Sequence, residues 1–504
     1  GRRKTLFCAR DILGVRPFCY FHGARRFVFG SELRQILIDP EVSHSLNEGV
    51  IGEYLAWSIT TTHETLFRDV RRLPPGHSLA IDASGQIRVR RYWDVNFGAR
   101  IRYPAADDYS RHLLELLAEC VDCRLRVRGP LGSHLSGGLD SSTVSLLAAQ
   151  RMRSRGQAPE AFATYSVVYP ELPCDESEQI NATARHAGLR VNLLPNCEIA
   201  EAEFAARAAQ TRDFPGYPMA NSLIGTVGAA ARARGCRVVL TGEGGDEFLG
   251  GHADQLADLL PGLRGGKLWG EARELGASMS LSMAQVLWRH TLKPWVRRAA
   301  ESLGSTGRRK PALSWLSPDW VAEIDLLDRI APPAPPGRGA SRAQRAAYCA
   351  TFSAHNTHFY EMADLCAFGA GVEQRHPMLD RRLVEFAYAI PQELHFGQGR
   401  GKSLLRMAMR GLLPASTIAP GSNVDFTTIN VRALDRILET SPVSDWPAAR
   451  AGWVQAGPLE SAYRESRAHL LAGRPWAGGP IWNLWMAYGV GLAIEGSRGR
   501  SLPI

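Results

Sequence analysis

The sequence predicts an α/β protein with a β-rich N-terminal part, a doubly wound parallel sheet and a mainly helical C-terminal part. Up to about residue 105, short alternating apolar runs are separated by turn residues, which is typical of antiparallel strands. Beyond Pro104, amphipathic helical segments alternate with short β-branched runs, and this alternation predicts parallel strands connected by helices. The chain has 504 residues, too many for one hydrophobic core, so we expect at least two domains.

The predicted elements follow from these patterns. In the N-terminal part, strands are predicted at residues 18–21, 26–29, 77–81 and 87–93. Residues 82–85, Asp-Ala-Ser-Gly, predict a hairpin turn between the last two strands. In the second part, residues 109–126 have the apolar spacing of a helix. Parallel strands are predicted at residues 131–135, 163–168, 191–194 and 237–241.

Composition and charge exclude several classes of protein. Hydrophobic residues make up 45% of the chain and charged residues 22%, which is typical of soluble globular domains. The net charge of +9 comes mainly from dispersed arginines, and no basic block indicates a nucleic-acid partner. We find no apolar run of membrane-spanning length and no secretory segment, which favours a reducing cytoplasm. Cys120 and Cys123 form a C-x-x-C that we interpret as incidental thiols on a helix rather than a metal or redox pair.

A loop rich in glycine and serine follows the first predicted parallel strand and precedes a helix predicted to begin at Thr143. Glycines let the backbone approach a polyanion, and amides and hydroxyls supply donors, so this loop predicts a phosphate site. An aspartate in such a loop repels phosphate unless a cation lies between them, so Asp140 is predicted to bind Mg²⁺. The residues predicted to form this site are Leu135, Ser136, Gly137, Gly138, Asp140, Ser141 and Ser142.

A second glycine-rich loop follows another hydrophobic strand, and residues 241–247 read Thr-Gly-Glu-Gly-Gly-Asp-Glu. Because parallel strands end at one edge of a sheet, we expect the two loops to lie together at that edge. Ligands bind at this edge in doubly wound sheets.

The first loop resembles the S-G-G-x-D-S loop of the ATP pyrophosphatases, and the second resembles the [ST]-G-E-G-x-D-E segment of the asparagine synthetase family. The resemblance implies that Mg-ATP is cleaved between its α and β phosphates while a carboxylate is activated as an acyl-adenylate. It also implies that Thr241 and Gly242 contact the nucleotide. Asp246 then joins Asp140 as a Mg²⁺ ligand, and Glu243 acts during adenylate formation.

Further segments extend the resemblance, among them the strand expected to border the adenine and a G-x-E-x-R-x-P segment at residues 371–380. The residues implied by these segments are Val167 or Val168, at the adenine; Glu373 and Arg375, which hold or deprotonate an incoming amine or form a buried pair; and Lys402, at the pyrophosphate or in a surface pair.

The resemblance implies two domains. Residues 1–105 resemble the second half of an Ntn-type glutaminase αββα domain, through segments such as Leu-Pro-Pro-Gly-His at residues 73–77. Cys8 does not fit the family's cysteine nucleophile, because it lies inside a strand. Either the sequence is a fragment or the glutaminase half is absent, and we expect no glutamine hydrolysis by the chain as given. Residues 106–504 resemble the adenylating domain, a doubly wound ATP pyrophosphatase fold with a helical C-terminal part and an insertion at residues 252–345.

The sequence leaves the identity of the acid and of the amine open. Related enzymes carry a basic R-x-K-x-x-F stretch that is absent from residues 419–426, and no lysine follows Lys402, which disfavours asparagine synthesis. The missing nucleophile, the long insertion and an aromatic C-terminus favour a lasso-peptide macrolactam cyclase, because a peptide needs a wider and more aromatic cavity. The tryptophans concerned, whose alternative role is core packing, are Trp315, Trp320, Trp476, Trp482 and Trp485.

We therefore expect ATP and Mg²⁺ as cofactors and a peptide or a small amino acid as the substrate. The cyclase interpretation adds precursor-peptide-binding and leader-protease proteins as partners. Asparagine synthetase is the alternative enzyme, and a non-catalytic homologue that binds a nucleotide or peptide is the alternative outside catalysis. A homologue without catalytic activity would not need both Mg²⁺-binding carboxylates, so the presence of Asp140 and Asp246 favours an enzyme.

Overall fold

A computed structural model gives the fold. It describes residues 4–195, 198–251, 255–259, 265–279, 281–293, 296, 313–331, 339–397, 400–419, 425–474 and 478–497. Trp476 and residues 420–424, which belong to segments singled out in the sequence, lie outside the described residues.

Two three-stranded antiparallel sheets form the N-terminal part. Cys8, Leu73 and Leu79 are buried in a cluster to which residues of both sheets contribute. The predicted hairpin is confirmed, since the Asp82 N–H donates to the Gln86 carbonyl at 3.3 Å. In spatial order the strands are β1 (Leu6–Ala9), β5 (His77–Ile81) and β6 (Ile87–Arg91) in one sheet, and β3 (Phe27–Gly30), β2 (Cys19–His22) and β4 (Val70–Arg72) in the other.

A five-stranded parallel sheet forms the centre of the rest of the chain. Its strands in spatial order are β11 (Glu373–Arg375), β10 (Val238–Leu240), β7 (Leu131–His134), β8 (Phe162–Val168) and β9 (Val191–Pro195). The four predicted strands match β7 to β10 to within two residues at each end. Strand β11 was not predicted, because it is a three-residue edge strand of polar residues.

Helices cover both faces of this sheet, as the doubly wound prediction requires. Val238 and Leu240 pack into one buried cluster, whereas Val239, which points the other way, packs into a second. The helices are α1 (Leu33–Ile36), α2 (Glu48–Leu55), α3 (Ala106–Asp122), α4 (Leu139–Ser154), α5 (Ser177–Ala187), α6 (Glu201–Thr211), α7 (Pro218–Ala233), α8 (Gly245–Phe248), α9 (Gln255–Leu259), α10 (Gly265–Met279), α11 (Met283–Leu287), α12 (Pro318–Glu323), α13 (Leu326–Arg329), α14 (Arg342–Thr351), α15 (Ala354–Gly369), α16 (Arg381–Ala389), α17 (Ser403–Ala408), α18 (Ala415–Ile418), α19 (Thr427–Thr440), α20 (Pro447–Arg450), α21 (Ala456–Leu471) and α22 (Gly479–Ser497).

The tryptophans of the insertion and of the C-terminal helix belong to the core. Trp315 and Trp320 are 4% and 5% exposed, and Trp485 on α22 is fully buried in the same cluster. Trp482 packs against this cluster and contacts the Trp57 ring at a centroid distance of 5.2 Å. The alternative role of core packing is therefore confirmed for Trp315, Trp320 and Trp485, which stabilise the fold by burial. Within the described helices, none has the length and apolarity needed to cross a membrane.

A buried network of charges joins the N-terminal part to the rest of the chain. Arg10 pairs with Glu361 of α15, and the other Glu361 oxygen accepts from Arg72 Nε at 2.9 Å. Arg72 also pairs with Asp213 at 2.6 Å. All four side chains are at least nine-tenths buried, so each charge depends on its partners for the interactions that water would otherwise provide.

Replacing Glu361 by glutamine should destabilise the fold by about 3–5 kcal/mol, because it leaves two buried guanidinium groups with one carboxylate between them. Urea unfolding followed by tryptophan fluorescence measures the change. The matched control is Glu119→Gln, whose carboxylate is 61% exposed in a pair with Arg382, and it should cost less than about 1 kcal/mol. Equal midpoints for the two variants would show that the network does not hold the two parts together.

Candidate functional site

The loop after β7 forms a compact turn into α4. Gly137 has φ of +78°, a backbone conformation that glycine adopts without strain. The Ser136 N–H donates to Ser141 Oγ at 3.1 Å, and the two serine hydroxyls are 2.9 Å apart. The helix begins at Leu139 and not at the predicted Thr143, so Asp140, Ser141 and Ser142 lie in its first turn. Their backbone amides therefore belong to the donor-rich N-terminus of a helix.

The loop after β10 packs directly against the first loop. A Cβ atom on Gly242 would lie 2.5 Å from the Ser141 nitrogen, and one on Gly245 would overlap the Asp140 carboxylate. Side chains at Gly242 and Gly245 would therefore separate the loops. The prediction that strands β7 and β10 bring the two loops to one edge of the sheet is confirmed by this contact.

Lys402 connects the two loops. Its Nζ donates to the Asp140 carboxylate and lies 2.6 Å from an Asp246 oxygen. Its backbone N–H donates to the Gly250 carbonyl at 3.1 Å, just beyond the second loop. The side chain is 15% exposed, so it does not form the surface pair that was one of its two predicted roles. Lys402 thus lies between the two predicted Mg²⁺ ligands.

The carboxylates around Lys402 repel one another and are partly dehydrated. Burial raises the pKa of Asp140 to about 6, although Lys402 opposes the shift. Burial raises the pKa of Glu243 to about 7, with further contributions from Glu247 and Asp246. Burial lowers the pKa of Lys402, but the charges of Asp140 and Asp246 outweigh it and the net pKa is raised. The ammonium is therefore firmly charged, and the site favours additional cations.

Two residues that were not predicted as site residues, His376 and Tyr360, hold the second loop. Thr241 Oγ1 lies 2.6 Å from Nδ1 of His376, which follows β11, and it accepts the Glu243 N–H at 3.3 Å. The Tyr360 hydroxyl donates to Glu247 at 2.9 Å. His376 lies inside the G-x-E-x-R-x-P segment and could have been proposed from it. Tyr360 on α15 gives no local signal in the sequence.

Glu373 and Arg375 pair with each other but not with the carboxylates around Lys402. Their side chains are 3.0 Å apart, and Glu373 also pairs with Arg16 of the N-terminal part at 2.9 Å. Arg375 Nη1 donates to the carbonyls of Arg124 and Arg126. Glu373 and Arg375 form the predicted pair, but the pair is not buried, because the Glu373 side chain is 44% exposed. Their role toward an amine stays a prediction.

The remaining predicted residues lie along the same edge of the sheet. Leu135 is fully buried, and its N–H donates to the Tyr165 carbonyl at 3.0 Å. Val167 lies near the end of β8, partly buried, and Val168 is 5% exposed. Their contact with an adenine stays a prediction.

The donor set around Lys402 fits a metal that is bound jointly with phosphate. Among the described side chains, no group of three or more His, Cys, Asp or Glu is arranged to hold a metal alone. Two carboxylates are available here: Asp246, whose side chain is 82% exposed, and Asp140, whose buried Oδ1 has no hydrogen-bond partner in the described structure. Mg²⁺ prefers oxygen ligands and commonly takes one or two carboxylates together with phosphates of the substrate.

Comparison with protein families agrees with this geometry. The family described as asparagine synthase matches residues 112–488, three quarters of the chain. The chain belongs to the asparagine synthase family. The glutamine amidotransferase domain matches residues 1–93, which confirms the predicted resemblance of the N-terminal part.

Several curated proteins are similar to the chain over half of its length or more. An asparagine synthetase (glutamine-hydrolyzing) 3 of Bacillus subtilis is 26% identical over 82% of this chain. A protein of Mycobacterium tuberculosis described as a putative asparagine synthetase (glutamine-hydrolyzing) is 25% identical over 90% of this chain and 69% of its own length. The amidase chyE of Penicillium rubens is 28% identical over 52% of this chain. The chain spans 63% of the length of the Bacillus protein and 40% of the length of the Penicillium protein.

Proposed function

We propose that the chain catalyses ATP-dependent amide bond formation through an acyl-adenylate, with release of AMP and pyrophosphate. The observation that carries the proposal is the junction of a phosphate-type loop and an acidic loop at one sheet edge, bridged by Lys402 between Asp140 and Asp246. Membership of the asparagine synthase family supports the same reaction class. A phosphate loop alone would support nucleotide binding only, whereas the acidic loop supplies groups for activating a second substrate.

The proposed roles follow from the positions of the side chains. Ser136, Ser141 and the amides at the start of α4 would bind the phosphates of ATP, since they are donors at a helix N-terminus. Asp140 and Asp246 would hold Mg²⁺, which neutralises phosphate charge when it is bound. Lys402 would then face the pyrophosphate that leaves, as a fixed cation where negative charge develops.

Glu243 has the properties of a group that handles a proton. Its pKa of about 7 allows it to gain or lose a proton near neutral pH, where an ordinary glutamate stays ionised. Its backbone is fixed through Thr241 and His376. We propose that Glu243 orients the acid during adenylation and accepts a proton when the amine attacks. Glu373 and Arg375 have weaker support for an amine-binding role because they pair away from Lys402.

For the substrates, we propose a peptide whose side-chain acid is joined to its own N-terminal amine, as in lasso-peptide cyclases. The remaining support is the absence of lysine from residues 419–426, where related asparagine synthetases carry one. The core position of Trp315, Trp320 and Trp485 removes a second argument for this substrate. Asparagine synthetase is the alternative candidate, favoured by the names of the relatives in Bacillus and Mycobacterium.

ATP–pyrophosphate exchange tests the adenylation step. Lys402→Met should lower the exchange rate by about 100-fold or more, because it removes the fixed cation at the leaving group. Lys293→Met is the matched control, since Lys293 is an exposed lysine that does not pair with Asp140 or Asp246, and it should keep the wild-type rate. Thermal unfolding checks that both variants are folded. Exchange at the wild-type rate in folded Lys402→Met would contradict the role of Lys402, and no exchange by the wild type with any acid or peptide would favour a non-catalytic homologue.

Product analysis separates the two substrate proposals. With Mg-ATP and a cleaved precursor peptide, the cyclase proposal expects a peptide that has lost one water, detected by mass spectrometry. With Mg-ATP, aspartate and ammonium, the alternative expects asparagine. Asp140→Asn should abolish either product, because the carboxylate next to the phosphate loop is lost. Asparagine formation without peptide cyclisation would overturn the cyclase proposal and leave adenylation intact.

A further inference from the structure

A cavity of about 550 Å³ lies beside β11, and Lys402, Asp140 and Asp246 do not line it. Four arginines line it: Arg16 from the N-terminal part and Arg124, Arg126 and Arg375 from the rest of the chain. His376 also lines the cavity; it is 4% exposed, and its Nε2 has no hydrogen-bond partner within the described structure. A buried polar atom without a partner and a concentration of guanidinium groups both indicate a ligand with hydrogen-bonding oxygens.

Three of the four cavity arginines are paired with carboxylates, and one is not. Arg16 pairs with Asp364 and Glu373, Arg375 pairs with Glu373, and Arg124 pairs with Asp380 at 2.8 Å. Arg126 forms no ion pair with any described residue. The one carboxylate in the wall, Asp11, accepts the backbone N–H groups of Val15 and Arg16 at 2.9 and 3.0 Å. Arg126 and the remaining donors of Arg124 are therefore available to an anion.

An exposed thiol lies in the same wall. Cys123 follows the last residue of α3, and its Sγ accepts from Arg124 Nη1 at 3.3 Å and from Arg382 Nη2 at 3.7 Å. Cys120 Sγ lies 3.6 Å from the same Arg382 nitrogen, but it is buried, and burial raises the pKa of its thiol. The thiolate is the reactive form of cysteine, and two guanidinium groups lie beside the exposed Cys123 sulfur. Cys123 is thus the accessible nucleophile of the pair.

We propose that Cys123 is a modification site for small anionic disulfides, whose carboxylates are recognised by the arginines of the cavity. The Cys123 thiol loses its proton to solvent, and the thiolate attacks one sulfur of the disulfide. A bond forms between Cys123 Sγ and that sulfur, the original disulfide bond breaks, and the other half leaves as a thiolate. The product is a mixed disulfide on Cys123. This proposal is an alternative to the interpretation of Cys120 and Cys123 as incidental thiols.

Charge-selective labelling of the full chain tests the assignment without reference to the ligase reaction. The probes are dithiobis(nitrobenzoate), a dianionic disulfide, and cystamine, a dicationic one, at the same pH and ionic strength. Peptide mass spectrometry follows the rate at Cys123 and at Cys349, the other exposed cysteine among the described residues. The rate ratio of dianion to dication should be about tenfold higher at Cys123 than at Cys349, because the arginines attract the anion. Equal ratios at the two cysteines would overturn the proposal.

A pair of arginine variants locates the source of the selectivity. Arg126→Gln should lower the dianion rate at Cys123 severalfold and leave the rate at Cys349 unchanged, because an unpaired charge of the cavity is lost. Arg128→Gln is the matched control: it removes an exposed arginine two residues away that does not line the cavity, and it should leave both rates unchanged. If both variants lower the Cys123 rate equally, the selectivity comes from the general charge of the surface and the proposed site is wrong.

Discussion

The contact of Lys402 with Asp140 and Asp246 is the interaction on which the rest of the site depends. It brings together a carboxylate of the phosphate loop and one of the acidic loop. With Glu243 and Glu247 close by, negative charge exceeds the single ammonium, and burial makes this repulsion costly. A cation at this position is therefore a condition for the two loops to meet. Mg²⁺ that binds together with a nucleotide would add positive charge at this position.

A second chain of contacts holds the acidic loop from behind. Arg16 of the N-terminal part pairs with Glu373 on β11, and the strand continues into His376, which contacts Thr241. Thr241 in turn accepts the Glu243 N–H. The buried pairs of Arg10 and Arg72 with Glu361 also attach the N-terminal part to α15. The glutamine amidotransferase-like part thus has a structural role for the proposed ligase site.

Much of the fold and the location of the site could be predicted, because both depend on local patterns. Apolar runs followed by glycine-rich loops predicted strands β7 and β10 and the edge of the sheet at which both strands end. The start of α4 was predicted too late, since Asp140, Ser141 and Ser142 have poor helix propensity in a helix interior, yet they form its first turn, where an acidic side chain is favourable. The sequence left two roles open for the tryptophans, because aromatic content alone does not distinguish a pocket from a core, and three of them lie in the core. The partners of Lys402 lie 262 and 156 positions away, so no local pattern pairs them.

The fate of the carboxyl oxygen tests the central claim most directly. The acid that supports pyrophosphate exchange is prepared with heavy oxygen in its carboxyl group and incubated with Mg-ATP, the wild-type chain and the amine. Mass spectrometry of the nucleotide product then follows the label. Attack of the carboxylate on the α-phosphorus predicts AMP that carries one heavy oxygen. Unlabelled AMP, or ADP in its place, would contradict an acyl-adenylate at the site around Lys402.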